Sequence, residues 1–210
     1  MKKTIGLSFI GLLFIVSCNC NNNKKAEEKE EVLDSVQTAS SIASEDSSMI
    51  ADNNTRVFIN NTLQNTGWQW NRFKLVEFWA DDSLGKDKKP FSPPPDFYNK
   101  YASVLKWSPD STYLLDIGSY GSVVTRDNNG KNHVVAGDPD TEISLILPKE
   151  KTKTRLLFSG PSMHIFNAVW ADSTEVAMLG ALDEKNTGHP DTLLWLIDVK
   201  ENFFRKYKWK

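Results

Sequence analysis

Trp107-Ser108-Pro109-Asp110-Ser111-Thr112-Tyr113-Leu114-Leu115-Asp116-Ile117-Gly118 is the stretch that decides the fold. It returns as Trp170-Ala171-Asp172-Ser173-Thr174-Glu175-Val176-Ala177-Met178-Leu179-Gly180. The two tryptophans stand 63 positions apart and the Asp-Ser-Thr triplets 62, so the second turn is one residue shorter. Each copy reads as strand, polar turn, strand. Pro109 suits the turn position that wants φ near about −65°, and Asp110 or Asp172 accepts a backbone N–H bond that locks the reversal. A tryptophan just before such a turn brings a large apolar body to one sheet face. Trp107 and Trp170 are therefore expected as core anchors, with Asp110 and Asp172 as the turn locks.

Trp107-Ser-Pro-Asp-Ser111 resembles the turn between the first two strands of WD-like propeller repeats of the TolB type. Those repeats continue with a third strand ending in Asp, a polar turn and a fourth strand. Thr192 to Asp198, Val199 to Asn202 and Phe203 to Trp209 follow that pattern. In the first copy the matching pieces are Glu142 to Leu147, Pro148 to Thr152 and Thr154 to Phe158. Ser111 and Ser173 stand where the repeats usually carry Gly. The resemblance implies an all-β domain of antiparallel meanders, with blade-like units at about 100–158 and 162–210. Two units cannot close a ring, which takes roughly four blades at least. An incomplete propeller and a sandwich-like arrangement both stay open, with further strands from the N-terminal part of the domain. The first unit also carries an insertion, because 24 residues separate Gly118 from Ile143 and only 12 separate Gly180 from Leu193. Asp127-Asn-Asn-Gly-Lys-Asn132 inside it reads as a hairpin tip built on Asn-Gly.

The amino end carries an address. Lys2 and Lys3 precede an apolar run from Thr4 to Val16, too short to span a bilayer. Ile15-Val16-Ser17-Cys18 resembles a bacterial lipobox, which implies cleavage of residues 1–17 and lipidation of Cys18. Acyl chains contribute about 0.8 kcal/mol per buried CH₂, and more than one chain gives stable anchoring. Residues 18–54 read as a flexible, disordered tether, polar and Ser-rich, with too little apolar surface to offset its ordering entropy. Lys29-Glu30-Glu31 resembles the export signal of surface lipoproteins in Bacteroidetes-type bacteria. The expected place is the outer membrane of the cell envelope, facing either the periplasm or the outside.

Removal of Lys2 and Lys3 leaves 23 basic against 27 acidic side chains, a balance that argues against nucleic acid as a partner. Cys18 and Cys20 are the only cysteines, so residues 21–210 can hold neither a disulfide nor a thiolate metal site. His133, His164 and His189 are scattered without metal-ligand spacing, and no cofactor motif occurs. No nucleophile elbow or phosphate-cradling glycine loop is present. The acidic residues Asp81, Asp82, Asp138, Asp140, Glu142, Asp183 and Glu184 punctuate the loops, and a glycosidase pair would have to come from among them.

All seven tryptophans lie in residues 55–210. Trp68, Trp70 and Trp79 form a candidate aromatic binding face, because Trp68 and Trp70 would point the same way in a strand. In the last strand the lysines Lys206, Lys208 and Lys210 read as a solvent-facing, edge-protecting row. The functional expectation is a non-enzymatic envelope lipoprotein that binds or assembles with a partner. The alternative is a carbohydrate-binding module or glycan-directed hydrolase at the cell surface.

Overall fold

The computed structural model of the protein describes residues 39, 41–44, 46–47, 53–63 and 72–210. The signal sequence, Cys18, most of the expected tether, Trp68 and Trp70 lie outside the described residues. The chain divides into two units, Met1–Ser40 and Ser41–Lys210, and the second holds the β domain. In chain order its elements are α1 (Asn53–Thr62), β1 (Phe73–Ala80), β2 (Lys89–Pro90), α2 (Phe97–Lys100), β3 (Leu105–Trp107) and β4 (Leu114–Asp116). The insertion follows as β5 (Ser122–Arg126) and β6 (Asn132–Ala136), then come β7 (Thr141–Leu147), β8 (Thr152–Ser159) and β9 (Met163–Trp170). The chain closes with β10 (Glu175–Leu182), β11 (Asp191–Asp198) and β12 (Phe203–Trp209).

The architecture is all-β and antiparallel. The first meander, β3-β4-β7-β8, gains β2 beside β8; the second, β9-β10-β11-β12, gains β1 beside β12. Each sheet thus takes its fifth strand from the chain upstream of both meanders. β5 and β6 form a separate hairpin whose tip holds Gly130 at φ 79. The turns are built as the polar residues dictate. Asp110 accepts Thr112 N at 3.0 Å, the Thr112 hydroxyl at 2.6 Å and the Ser108 hydroxyl at 2.7 Å. These bonds, the Thr112 hydroxyl foremost, pull its carboxyl down to about 2. Asp172 holds the N–H groups of Thr174 and Glu175, each at 2.7 Å, and Asp198 those of Lys200 and Glu201, each at 2.9 Å. The closing glycine of the second copy is required by space, since a Cβ on Gly180 would sit 2.5 Å from the His164 carbonyl oxygen.

Alternating side chains of a strand serve opposite faces, and here both faces of the second sheet are apolar. Val176, Met178, Trp195 and Phe204 meet Leu115, Ile143, Leu145 and Leu156 of the first sheet in one shared core. Ala177, Leu179, Leu194 and Leu196 point the other way and are covered by Phe58 and Ile59 of α1 with Leu63 just beyond it. The outer face of the first sheet buries Leu105, Leu114 and Ile146 under Phe97 of α2. The layers therefore run helix, sheet, sheet, helix, and each outer sheet face carries a helix. Arg56 to Ile59, too brief to assign from sequence, is part of α1.

The paired tryptophans part company here. Trp170 is 7% exposed, donates Nε1–H to the Lys106 carbonyl at 2.8 Å and stacks on Tyr113 with centroids 6.1 Å apart. It is the seam between the sheets. Trp107 is 46% exposed and touches the ring of Tyr98 at 5.9 Å, so the expectation of a core anchor is corrected. The motif aims each tryptophan at the layer before its own sheet. For Trp170 that layer is a sheet; for Trp107 it is a helix too short to cover an indole.

Two further expectations change. β12 is not an edge, because β1 pairs with it along its length, and Lys206 is bridged to Glu77 at 3.1 Å and Glu184 at 3.3 Å. The fold also begins before residue 55. Residues 41–44 and 46–47 are helical, and Asp46, 2% exposed, pairs with Arg205 Nη1 at 2.9 Å and accepts the Tyr207 hydroxyl. Arg205 Nη2 reaches Glu175 at 2.7 Å, and burial raises the pKa of Glu175.

Trp170→Ala is expected to cost about 3–5 kcal/mol, the usual loss for a buried large aromatic. Trp107→Ala should cost about 1 kcal/mol or less, as for a surface position. Urea denaturation of the two variants distinguishes them, and equal losses would contradict the burial difference. Ser111 sits at φ 59, in the left-handed region that glycine tolerates without penalty. Ser111→Gly should therefore raise stability by about 0.5–1 kcal/mol, seen as a higher melting midpoint.

Candidate functional site

Strand register allows the two repeats to be laid over one another. Leu114 and Asp116 of β4 pair with Ile146 and Ser144 of β7, just as Val176 and Met178 of β10 pair with Ile197 and Trp195 of β11. One strand further, Ile146 and Ser144 face Lys153 and Arg155, as Ile197 and Trp195 face Phe204 and Lys206. Met178, Trp195, Phe204 and Leu193 all belong to the core between the sheets. Their counterparts in the first repeat are Asp116, Ser144, Lys153 and Glu142. Four core positions of the repeat have become a polar set on the outer face of the first sheet, beside the apolar patch that α2 covers.

That set is not simply a solvated surface. Asp116 and Ser144 are each 1% exposed and Glu142 is 8% exposed. Glu142 Oε1 accepts the Ser144 hydroxyl at 2.7 Å and pairs with Lys153 Nζ at 3.2 Å. Its Oε2 accepts Arg155 Nε at 2.9 Å and pairs with Nη2 at 2.7 Å. Asp116 accepts the backbone N–H of Gly118 at 3.2 Å and of Ser119 at 2.8 Å, takes the Ser119 hydroxyl, and lies 3.6 Å from Lys153. Burial alone pushes the Glu142 carboxyl up, but the bonds from Ser144 and Arg155 and the charge of Lys153 outweigh it and hold the pKa below its ordinary value. The guanidinium of Arg155 lies 4.5 Å over the ring of Phe158, whose other neighbour is Tyr120 at 6.0 Å, edge-on.

Above this network opens a cleft of about 520 Å³. The sheet contributes Glu142, Lys153 and Arg155 to it; Tyr120 comes from the turn after β4, Lys89 and Pro90 from β2. The loop between β1 and β2 adds Asp81, Ser83 and Asp87, and Phe91 follows β2. Lys89 sits directly opposite Lys153 across the β2–β8 ladder. Glu142 is ionised and already takes four donors, which leaves it a poor proton donor and a poor base. Glu175, the carboxylate with a raised pKa, has both oxygens within 2.9 Å of Arg205 Nη2.

The residues singled out from sequence are dispersed. Trp170 is core, Trp107 is surface, and Asp110 and Asp172 are locks of two separate turns. Trp79 is partly buried, stacks on Phe204 with centroids 5.0 Å apart and packs against the core. Of the loop carboxylates, Asp81 and Glu142 come together in the cleft, while Asp138 and Asp140 line a neighbouring pocket of about 180 Å³ with His164. His133 is paired with Asp127 at 3.0 Å, and His164 lies exposed against Phe166. No group of three or more metal-ligating side chains gathers among the described residues. Comparison with known proteins finds no family model, no curated protein and no solved structure that matches the chain.

Asp116, Lys153, Arg155 and Tyr120 escaped the sequence reading. A trace was present in Glu142-x-Ser144 and Lys153-x-Arg155, polar pairs two apart, the first in a largely apolar strand, but their meeting depends on register. Glu142→Gln takes the carboxylate from Arg155 and leaves Lys153 with Asp116 alone. The expected loss is on the order of 2–3 kcal/mol at neutral pH, below that of a fully buried pair because Arg155 is half-exposed. Because the folded pKa lies below its ordinary 4.5, this stabilisation is complete above that value and disappears as pH falls through the folded pKa. Stability measured by urea against pH should show the gap between wild type and Glu142→Gln closing on the acid side.

Proposed function

We propose that this protein is a non-enzymatic lipoprotein of the cell envelope, held at the outer membrane through a lipid on Cys18, whose β domain binds a partner through the cleft beside Tyr120. The observation that supports the binding role is the exchange of four core positions of the repeat for buried Asp116, Glu142 and Ser144 with half-buried Lys153. A fold that needs only to cover this face does so with apolar residues, as the second repeat does. Burying carboxylates instead carries a desolvation cost, and the network that offsets it holds Lys153 and Arg155 in fixed positions at the mouth of a cleft. The saturation of Glu142 favours binding over hydrolysis. The anchor rests on Ile15-Val16-Ser17-Cys18 and the basic, apolar run before it.

Metabolic labelling with palmitate, followed by membrane fractionation and affinity capture from gently solubilised envelopes, tests the proposal. The wild-type chain should carry label, sediment with membranes and bring down a stoichiometric partner. Cys18→Ser should lose label and sedimentation. Label and sedimentation unchanged in Cys18→Ser would remove the anchor from the proposal.

A further inference from the structure

We infer that the cleft above Glu142 is a site for a neutral saccharide. The inference rests on the binding role proposed above and names the class of ligand. Its first support is charge. Lys89, Lys153 and Arg155 line the cleft together with Asp81, Asp87 and Glu142, so acidic and basic groups are matched in number. An anionic ligand would meet three carboxylates and a cationic one three basic groups. A neutral polyol meets neither conflict, because each hydroxyl both donates and accepts.

Hydrogen-bond capacity is the second support. Arg155 spends Nε and Nη2 on Glu142, and a guanidinium carries five N–H donors. The remaining donors sit on a half-exposed side chain that Phe158 holds from below. Lys153, held by Asp116 and Glu142, brings a further ammonium to the same floor. Acceptors come from the β1–β2 loop, where the Asp81 carboxylate is fixed by Ser83 N at 2.9 Å and the Ser83 hydroxyl at 2.6 Å. Donors on one wall and acceptors on the other suit vicinal hydroxyls.

The third support is apolar. Sugar rings present a C–H face as well as hydroxyls, and an aromatic ring with a polar tip complements both. Tyr120, partly exposed and braced edge-on by Phe158 at an interplanar angle of 86°, offers such a ring at the cleft wall, with Phe91 beside it. The volume of about 520 Å³ lies within the range of about 300–1,000 Å³ usual for small-molecule sites. Because the groups are already held by each other, little ordering is left to be done on binding.

The test is titration of the β domain within the full chain with neutral trisaccharides (maltotriose, cellotriose, laminaritriose, N-acetylchitotriose) and with trigalacturonate and chitosan trimer as charged counterparts. Amide chemical shifts report the site and thermal shift reports affinity. At least one neutral trisaccharide should bind saturably at millimolar concentration or below, with shifts centred on Tyr120, Phe91 and Lys153. Tyr120→Ala and Arg155→Met should each weaken it about tenfold or more, Tyr120→Ala with an unchanged melting profile in the absence of sugar and Arg155→Met with a lower one, because it leaves buried Glu142 with one cation. Should Arg155→Met fail to fold, Tyr120→Ala carries the test alone, since its ring is at the surface. Binding of charged trisaccharides only, no saturable binding at all, or binding lost in Trp107→Ala and kept in Tyr120→Ala overturns the inference. A protein partner captured through Cys18, with no saccharide shift, sinks the saccharide and leaves the binding role standing.

Discussion

A sheet that is apolar on both faces has to be covered twice, and the second sheet of this protein is such a sheet. β10 and β11 are buried on both sides, with Met178 and Trp195 toward the first sheet and Leu179 and Leu194 toward α1. Each fully buried aliphatic or aromatic side chain is worth about 1.5–3 kcal/mol over its exposed state, so neither cover can be removed cheaply. Everything else in the layer order follows. The first sheet supplies one cover, α1 supplies the other, and the first sheet then needs its own outer cover from α2. The two-sheet stack is closed at both ends by a helix. Terminal caps of this kind are the usual requirement of stacked repeats.

The sequence motif does not contain this outcome. Trp107 and Trp170 share their turn, their place before it and their position in strand register, and they end at 46% and 7% exposure. The difference lies in what occupies the preceding layer. Trp170 finds the edge carbonyl of Lys106 and the ring of Tyr113; Trp107 finds one ring of a four-residue helix. A motif fixes the direction in which a side chain points. Whether it lands on protein or water is decided by residues far away in the chain.

The same distinction separates what was legible from what was not. Turns are local: Asp110, Asp172 and Asp198 bond backbone groups within three residues, and their meanders could be read directly from Asp-Ser-Thr and from Asp198 ahead of a polar run. The inserted hairpin was equally legible, because Gly130 marks its tip. The helical covers were not, since α1 begins in a polar stretch and shows its apolar residues, Phe58 and Ile59, only as a short run. The last strand reads as an edge from sequence because its neighbour, β1, lies 123 to 136 residues upstream in register, Phe73 against Trp209 at one end and Ala80 against Phe203 at the other. The cleft was hidden for the same reason. Its charged residues come from β2, β7, β8 and the β1–β2 loop, and only strand pairing brings them to one face.

Two buried ionic clusters remain, and their connections tell them apart. Arg205 is enclosed: Asp46 and Glu175 occupy its two ends and Tyr207 closes on Asp46, so the cluster ties the helical residues 46–47 to β10 and β12. All of its charged members are largely withdrawn from water, and a closed network of this kind locks one geometry. The Glu142 cluster is closed underneath and open above. Its carboxylates are buried, while its cations rise in exposure from Lys153 at 23% to Arg155 at 51%. A purely structural network would gain from covering Arg155 as well, because exposure to water weakens an ion pair. Here the half-exposed guanidinium instead lies 4.5 Å over the ring of Phe158 at the wall of a cleft. The internal repeat makes the comparison within one molecule: where the second sheet needs only to be covered, the register-matched positions are Leu193, Trp195, Met178 and Phe204.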